Sequence, residues 1–533
     1  MNNILLFNNK YIKSEEVSIN NFGHSSNFKK IFNFFTNEHA IDCTLDQDII
    51  QSFTKDWSNL PGGNAELLVR PINAKQCAII LKLSQVLKIP ITISAGQTNL
   101  TGSATPFGGI ILSTTKLNKD SIVVNTNQKY VSTPVGIPLE LMRTEILKQS
   151  KSKLFYPVDP TSRHDAFVGG TLACNASGFI PGIKGATRYW VREIDFMLIN
   201  GYVLKIKRGQ YFSKKGMFKL VCDKKIINVS VPRYHRPEIK NASGPYSALN
   251  EEIDFIDLII GSEGIFGMIT SCKFNLLTKP NNYLKLFLRL DSENMAISFH
   301  SYLYDYFDGD LSQITALEYF GYNCQTYMKN SKFLFNNSSE VGVYLQIPVY
   351  NDNIDSAIND WVDLLNLFDS SIDLDNIIIL NEPSNWKLFF EARHSMPDEA
   401  LSKTKSLGGI SIITDTIVPK NNFKKYLKAI HKKLQIANIE YLLFGHLGDC
   451  HLHFHLIPTV DQKEESIRVY NEMIDLSTQL GGVYSAEHGT GKRKRYDFEK
   501  CYGKQATKMI KEIKSSFDVD FLLNRGNVVN YLS

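Results

Sequence analysis

Three stretches of small residues, each set against β-rich runs, constrain this chain more than any other feature. The first, AGQTNLTGSATPFGG, follows IPITIS and leads into the apolar run GIILSTT; the second, VGGTLACNASGFIPG, lies near residue 170; the third, GSEGIFG, starts at Gly261. Residues of this kind punctuate a chain as turns and loops. Ahead of the first loop, ELLVRP, NAKQCAIILKLSQVLK and IPITIS read as strand, helix and strand, because Cys77, Ile80, Leu81, Ser84 and Leu87 recur at helical period between two β-rich runs. Three such loops interleaved with strands in one α+β region point to an elongated ligand threaded past several backbone turns.

A chain of 533 residues, 43% hydrophobic and 21% charged, is long enough for two or more cores. We divide it into an N-terminal segment, 1–60, a domain over 61–280, and a domain over 281–533, since after Lys279-Pro280 the texture changes to alternating strands and amphipathic helices. The Lys-, Pro- and Asn-rich stretch at about 205–250 reads as an insertion with the composition of a mobile loop. A net charge of +5 drawn from 59 basic and 54 acidic residues gives no field for nucleic acid. No apolar run approaches a membrane span and the start lacks a signal-peptide pattern, so a cytoplasmic protein is expected, with peripheral contact at the inner face of a membrane and a homodimer both left open. The eight cysteines form no CxxC pair and read as reduced thiols.

Successive backbone N–H groups in a glycine-rich turn form a nest for an anion, so Ala95, Gly96, Gln97 and Thr98 could cradle a pyrophosphate; the plainer reading is a tight turn. No Walker loop and no helix-opening GxGxxG is present. Elsewhere, FGHLGDCHLHFHLIP gathers four of the twelve histidines, His446, His451, His453 and His455, into ten residues. Period-two alternation places the last three on one strand face, neighbours about 6.6 Å apart. They make either a metal site or a solvated surface strand. Glu487-His488, ahead of Gly-x-Gly in SAEHGTGK, adds a carboxylate; two histidines and a carboxylate with an open position suit zinc and related metals.

The pieces SAGQTNLTGSATPFGGIILSTTKLN, YPVDPTSRHDAFVGGTLACNASG and GSEGIFGMIT resemble the FAD domain of the vanillyl-alcohol oxidase superfamily. FEARHSMPDEAL, DTIVP, FGHLGDCHLHFHLIP, GGVYSAEHGTG and FLLNRGN follow in the order of its D-lactate, glycolate and D-2-hydroxyglutarate dehydrogenase branch. The resemblance implies an α+β fold: a PCMH-type FAD-binding domain of two α/β subdomains, and a C-terminal FAD-linked oxidase domain with an antiparallel sheet flanked by helices, its last part returning to the FAD domain. It implies that Ile93, Ser94, Ala95, Gly96, Gln97, Thr98, Asn99, Leu100 and Thr101 wrap the FAD pyrophosphate. Pro157, Ser162, Gly169, Gly170 and Gly178 would line the flavin side, with Ile269 and Asn524 completing the site. The family usually carries a run of glycines where Gln97 and Asn99 stand. No histidine lies between Ile93 and Gly109, so the FAD is expected to be non-covalent.

The family pattern GHxGDGNxH followed by EHGxG lays its metal ligands on His446, His453 and Glu487, with Cys450 and His451 replacing the usual Gly-Asn and His455 standing where an asparagine often contacts substrate. The expected metal is divalent, with zinc first. Arg393, in the W/F-x-x-R position, would clamp a carboxylate. The metal would bind the 2-hydroxyl, neutral His488 would take its proton, and hydride would pass to flavin N5. Lys494 matches a family lysine, although its KRKR run reads as a solvated charged patch, and Lys240, Asn241 and Tyr246 match a loop near the flavin. Relatives acting on 2-hydroxyglutarate carry a lysine two residues before the aspartate where this chain has Ile413 before Asp415. The expected substrate is therefore D-lactate or a similar monocarboxylate, with glycolate and 2-hydroxyglutarate behind it. A metal-dependent hydrolase built on His446, His453, Glu487 and His488 is the rival reading. The electron acceptor could be a quinone, a cytochrome, an electron-transfer flavoprotein or oxygen.

Overall fold

The fold is described from a computed structural model, which defines residues 4–23, 27–351, 353–372 and 374–531. The strand, helix, strand unit consists of Leu67–Arg70, Ala74–Leu87 and Ile91–Ser94. The Asn73 side chain caps the helix by accepting from the Gln76 N–H at 3.0 Å, which satisfies one of the donors a helix start leaves open. The helix buries Cys77, Ile80, Leu81 and Ser84, and also Ala78, Ile79 and Leu83. Burial runs past one face because the N-terminal segment covers the helix from outside: Ile19, Ile31, Phe34 and Phe35 share its core, and Gln76 Nε2 donates to the carbonyls of His39 and Ala40. Each such aliphatic side chain contributes about 1.5–3 kcal/mol.

The strands Leu67–Arg70, Ile110–Ser113 and Ile91–Ser94 lie side by side in parallel, with Asp42–Thr44 antiparallel at the edge. Parallel neighbours need a long crossover, usually a helix. Here residues 95–109, the first small-residue loop, make it without a helix, so the loop runs back from the end of one strand to the start of the next. A second, antiparallel sheet holds Val203–Lys207, Val191–Met197, Met268–Asn275, Tyr130–Pro134 and Val123–Asn125 in that order. It carries a bulge between Ile269 and Ser271, the kind of local re-aiming found beside functional sites.

The stretch expected to be a mobile insertion is ordered instead. Met217–Cys222 and Lys225–Ser230 form a hairpin, and Ile4–Leu6 adds to it in parallel. Phe218, Leu220 and Cys222 alternate inward beneath exposed neighbours, so a period-two pattern outweighs the polar composition.

The C-terminal part is built on seven antiparallel strands in the order Ile377–Ile379, Asn282–Leu290, Val341–Val349, Ala316–Phe320, Glu440–His446, His451–Ile457 and Ile412–Ile413. Leu443, Leu452, Phe454 and Leu456 pack one face against the helices Glu293–Tyr306, Ile354–Phe368, Lys420–Ile436 and Lys463–Gln479. On the other face Phe287, Phe320 and Leu442 meet Phe389 and Met396 of the helix Pro383–Ser406. Every residue of His451–Ile457 is therefore buried, which rules out the solvated surface strand. The chain then returns to the first core through Phe498, Ile510, Ile513, Phe517 and Leu523, the last bridged to Ile91. Among the described residues no helix is long and apolar enough to cross a membrane.

Candidate active site

A cleft of about 710 Å³ opens where the three small-residue loops face the histidine strand. Of the residues expected at a cofactor, Ile93, Ala95, Gly96, Gln97, Thr98, Asn99, Leu100, Ser162, Gly169, Gly170, Gly178, Ile269 and Asn524 line it. Ser94, Thr101 and Pro157 do not. Ser94 is enclosed in the parallel sheet opposite Ser113, and the Thr101 carbonyl receives the N–H groups of Lys492 and Arg493.

Gln97 and Asn99, the departures from a glycine run, explain how the loop keeps its path. Gln97 holds a left-handed φ of 56°, a conformation glycine adopts freely and other residues adopt at a cost. Its side chain offsets that cost by donating to Lys55 O at 2.6 Å and Ser52 O at 3.2 Å. Asn99 Oδ1 gathers the N–H groups of Thr101 at 2.9 Å and Ser103 at 3.0 Å. Among the described residues, the N–H groups of Gly96, Gln97, Thr98 and Asn99 have no acceptor in the protein. A Cβ on Gly96 would fall 2.0 Å from Asp165 O, so no larger residue fits there. Four consecutive free donors on a small-residue cradle suit a polyanion.

At the opposite end, the sheet register sets Glu318, His446 and His451 in one row across three strands. His446 Nδ1 lies 2.7 Å from Glu318 Oε1, and its Nε2 lies 3.2 Å from Glu487 Oε1. His453 Nδ1 takes the Thr414 carbonyl at 2.9 Å. His446, His451, His453 and Glu487 each offer one ligand atom, all within 4.8 Å of one another. The expected trio is thus brought together, with His451 as an added neighbour. Borderline imidazole and carboxylate donors converging in a buried pocket fit a divalent transition metal. His455 and Cys450 stand apart: His455 Nε2 is 3.4 Å from Ser411 Oγ, and the Cys450 sulfur is 3.7 Å from His300 Nε2.

Arg393 lines the cleft with its guanidinium 4.9 Å above the Phe179 ring, and Nη2 donates to Glu318 Oε2 at 3.3 Å. Four residues later, Pro397 has no N–H to give to the Arg393 carbonyl, which loosens the helix at that turn. His488 lines the same cleft, its Nδ1 3.5 Å from Asp415 Oδ2. Burial pushes the His488 imidazole down to about 4, with Asp415 opposing, so the ring is neutral near pH 7.

Two buried carboxylates to which the sequence reading assigns no role organise these groups. Asp415 accepts from Ser485 Oγ at 2.5 Å, from the His488 N–H at 2.9 Å and from Lys494 Nζ at 3.2 Å. Burial disfavours its charge, yet His488, Lys494 and His451 hold it well below the carboxylate range. Glu318 is likewise opposed by burial but held down to about 2 by His446 and Arg393. Lys492 and Lys494, expected on a solvated patch, are buried; only the intervening Arg493 is exposed. Lys240 lies beside the histidine and glutamate cluster, 2.5 Å from Glu487 Oε1 and 3.2 Å from Asp449 Oδ2. Asn241 and Tyr246 do not line the cleft.

A polyanion cradle at one end, with a cation clamp, a neutral imidazole and a metal-type cluster at the other, defines the layout of a cofactor-dependent oxidoreductase. The FAD binding domain family matches residues 65–207, and the family of FAD linked oxidases, C-terminal domain, matches residues 351–528. The chain therefore carries both an FAD binding domain and the C-terminal domain of FAD linked oxidases, which makes it an oxidoreductase and sets the hydrolase reading aside. It is 25% identical to a D-lactate dehydrogenase of Anaerostipes hadrus, over 90% of this chain and 93% of that protein. With a glycolate oxidase subunit of Bacillus subtilis it shares 24% identity over 89% and 90%. With a D-2-hydroxyglutarate dehydrogenase of Stutzerimonas stutzeri it shares 23% over 91% and 95%. Among solved structures, p-cresol methylhydroxylase superposes with a TM-score of 0.69 at 14% identity, covering 96% of this chain and 99% of that one. The 4-ethylphenol oxidase of Gulosibacter chungangensis gives 0.67 at 14%, covering 95% and 98%. These two likenesses establish the fold alone.

Proposed function

We propose that the protein is an FAD- and metal-dependent dehydrogenase that oxidises a D-2-hydroxy acid, D-lactate or a similar monocarboxylate, to the 2-oxo acid. The observation that carries this reading is one cleft lined by the loop Ala95–Asn99, Arg393, His488 and the cluster of His446, His453 and Glu487. The relatives named above act, by their names, on acids of this class. Ile413 supports the monocarboxylate: it lines the cleft, and an apolar side chain there offers a second carboxylate no partner.

Bound non-covalently by the loop, FAD would supply the hydride acceptor, and a divalent metal on His446, His453 and Glu487 would supply a Lewis acid for the hydroxyl. The residues do the rest. Arg393 holds the carboxylate; one N–H is committed to Glu318 and the others remain for a bidentate grip. His488, neutral and steered through Nδ1 by Asp415, has Nε2 left to take the hydroxyl proton, with no partner for it among the described residues. Phe179 lies beneath the Arg393 guanidinium and steadies it by a cation–π contact.

The test is the absorption spectrum of the purified protein under anaerobic conditions. Flavin bands that bleach with D-lactate and not with L-lactate are expected. A colourless protein, or equal bleaching by both enantiomers, overturns the proposal.

A further inference from the structure

We propose that His451 is a fourth protein ligand of the metal, so that the centre is built from three imidazoles and one carboxylate. This rests on the reading of His446, His453 and Glu487 as metal ligands. One His451 ring nitrogen lies within the same 4.8 Å set as theirs, and the residue has no exposed surface at all.

The contacts behind each ring carry the argument. A metal-binding histidine commonly gives its second ring nitrogen to a carboxylate or carbonyl, which fixes the ring and its tautomer. His446 has Glu318 Oε1 at 2.7 Å and His453 has Thr414 O at 2.9 Å in that role. His451 has Asp415 Oδ1 at 3.2 Å from Nε2, within ion-pair range but outside hydrogen-bond geometry, while Nδ1 meets no hydrogen-bond partner among the described residues. A fully buried imidazole with both nitrogens short of a hydrogen bond has lost its contacts with water and gained none in return. As a plain core histidine it has no account. A metal among His446, His453 and Glu487 gives one nitrogen its partner and leaves the other for Asp415.

The consequence is chemical. Three imidazoles and a carboxylate would give the ion four donors from the protein, one more than the three-ligand reading supplies. An imidazole-rich set also turns the site toward zinc, cobalt, nickel or copper and away from magnesium and calcium.

The test is X-ray absorption of the flavin-loaded full-length protein bearing zinc, with retention of zinc measured against a competing chelator. Three imidazoles are expected in the wild type and two in His451→Asn, with zinc held at least about tenfold more weakly in the variant and flavin content unchanged. His455→Asn, a buried histidine of the same strand outside the set, controls for damage to the strand and should leave zinc retention intact. Two imidazoles in the wild type, or equal retention in His451→Asn, overturns the proposal and leaves the three-ligand reading standing. A wild type that binds no zinc, cobalt or manganese overturns that reading and this proposal with it. The wild-type count needs no variant, so a misfolded His451→Asn does not disarm the test.

Discussion

Arg393 reaches the cleft already paired with Glu318, whose second oxygen holds His446 Nδ1 at 2.7 Å. One carboxylate therefore braces both the substrate clamp and a metal ligand. Glu318→Gln can serve only one of them with its single acceptor oxygen. We expect KM for the hydroxy acid to rise and metal content to fall together, by about 10–100-fold in each affinity. Steady-state kinetics with an artificial dye and metal analysis of the same preparation check this. A change in only one of the two breaks the proposed coupling.

Asp415 plays the corresponding part behind His488. In Asp415→Asn the imidazole loses its charged partner and Lys494 is left buried without its counter-ion. The rate of anaerobic flavin bleaching by D-lactate is expected to fall about 10²–10⁴-fold, as for loss of a positioned base. His488→Asn should match it, with flavin content preserved in both. A normal rate in His488→Asn would remove that histidine from the chemistry.

Substrate size is tested at Ile413, whose side chain is 41% exposed and lines the cleft. Ile413→Lys places a cation where a second carboxylate would lie. The ratio of kcat/KM for D-2-hydroxyglutarate over D-lactate is expected to rise at least about tenfold, equivalent to about 1.4 kcal/mol. An unchanged ratio would move the selectivity elsewhere.

The loop offers a stability test at Gln97. Gln97→Ala keeps the left-handed φ and loses both hydrogen bonds, whereas Gln97→Gly loses the bonds but relieves the backbone. Denaturation should find the glycine variant more stable than the alanine variant by about 1 kcal/mol. The reverse order would show that the loop changes path when Gln97 is replaced.

Lys492 gives the pH dependence. It is buried with Nζ 2.7 Å from Asn527 Oδ1 and 3.3 Å from the carbonyls of Gly102 and Ser103. Burial pushes the amine down to about 7 from an ordinary 10.5, against the pull of Glu263 and Asp56 and with Arg495 adding to the fall. Between those values the unfolded chain holds a proton that the folded chain has given up, so stability rises with pH across that window. Below about pH 7 both states hold the proton and the contribution is flat. One such proton gives a slope of at most about 1.4 kcal/mol per pH unit. Denaturation from pH 7 to 9 should show a shallower rise in Lys492→Met than in the wild type; identical slopes would refute the assignment.

What could be read from the sequence follows from rarity and period. The histidine cluster was legible because histidines are few in the chain, the choice of His446, His453 and Glu487 within it came from the family pattern, and the helix Ala74–Leu87 was legible because its apolar residues repeat. Glu318 was not, since one glutamate in ALEYF acquires meaning only when the register places it beside His446, 128 residues later. Lys492 and Lys494 were misread because their local run looks solvated, and only the turn that brings Gly491 onto the Thr101 carbonyl buries them. In the 205–250 stretch, composition masked an alternation that was present in Met217–Cys222.

The return of Asn524 to the first loop reaches beyond catalysis. Its Oδ1 accepts the Ile93 N–H at 2.8 Å and its Nδ2 donates to the Glu263 carbonyl, so two of the three small-residue loops are pinned by a side chain more than 250 residues further along. Synthesis from the N-terminus delivers both loops long before this residue. A nascent chain therefore carries both loops unpinned until Asn524 has emerged and folded back onto them.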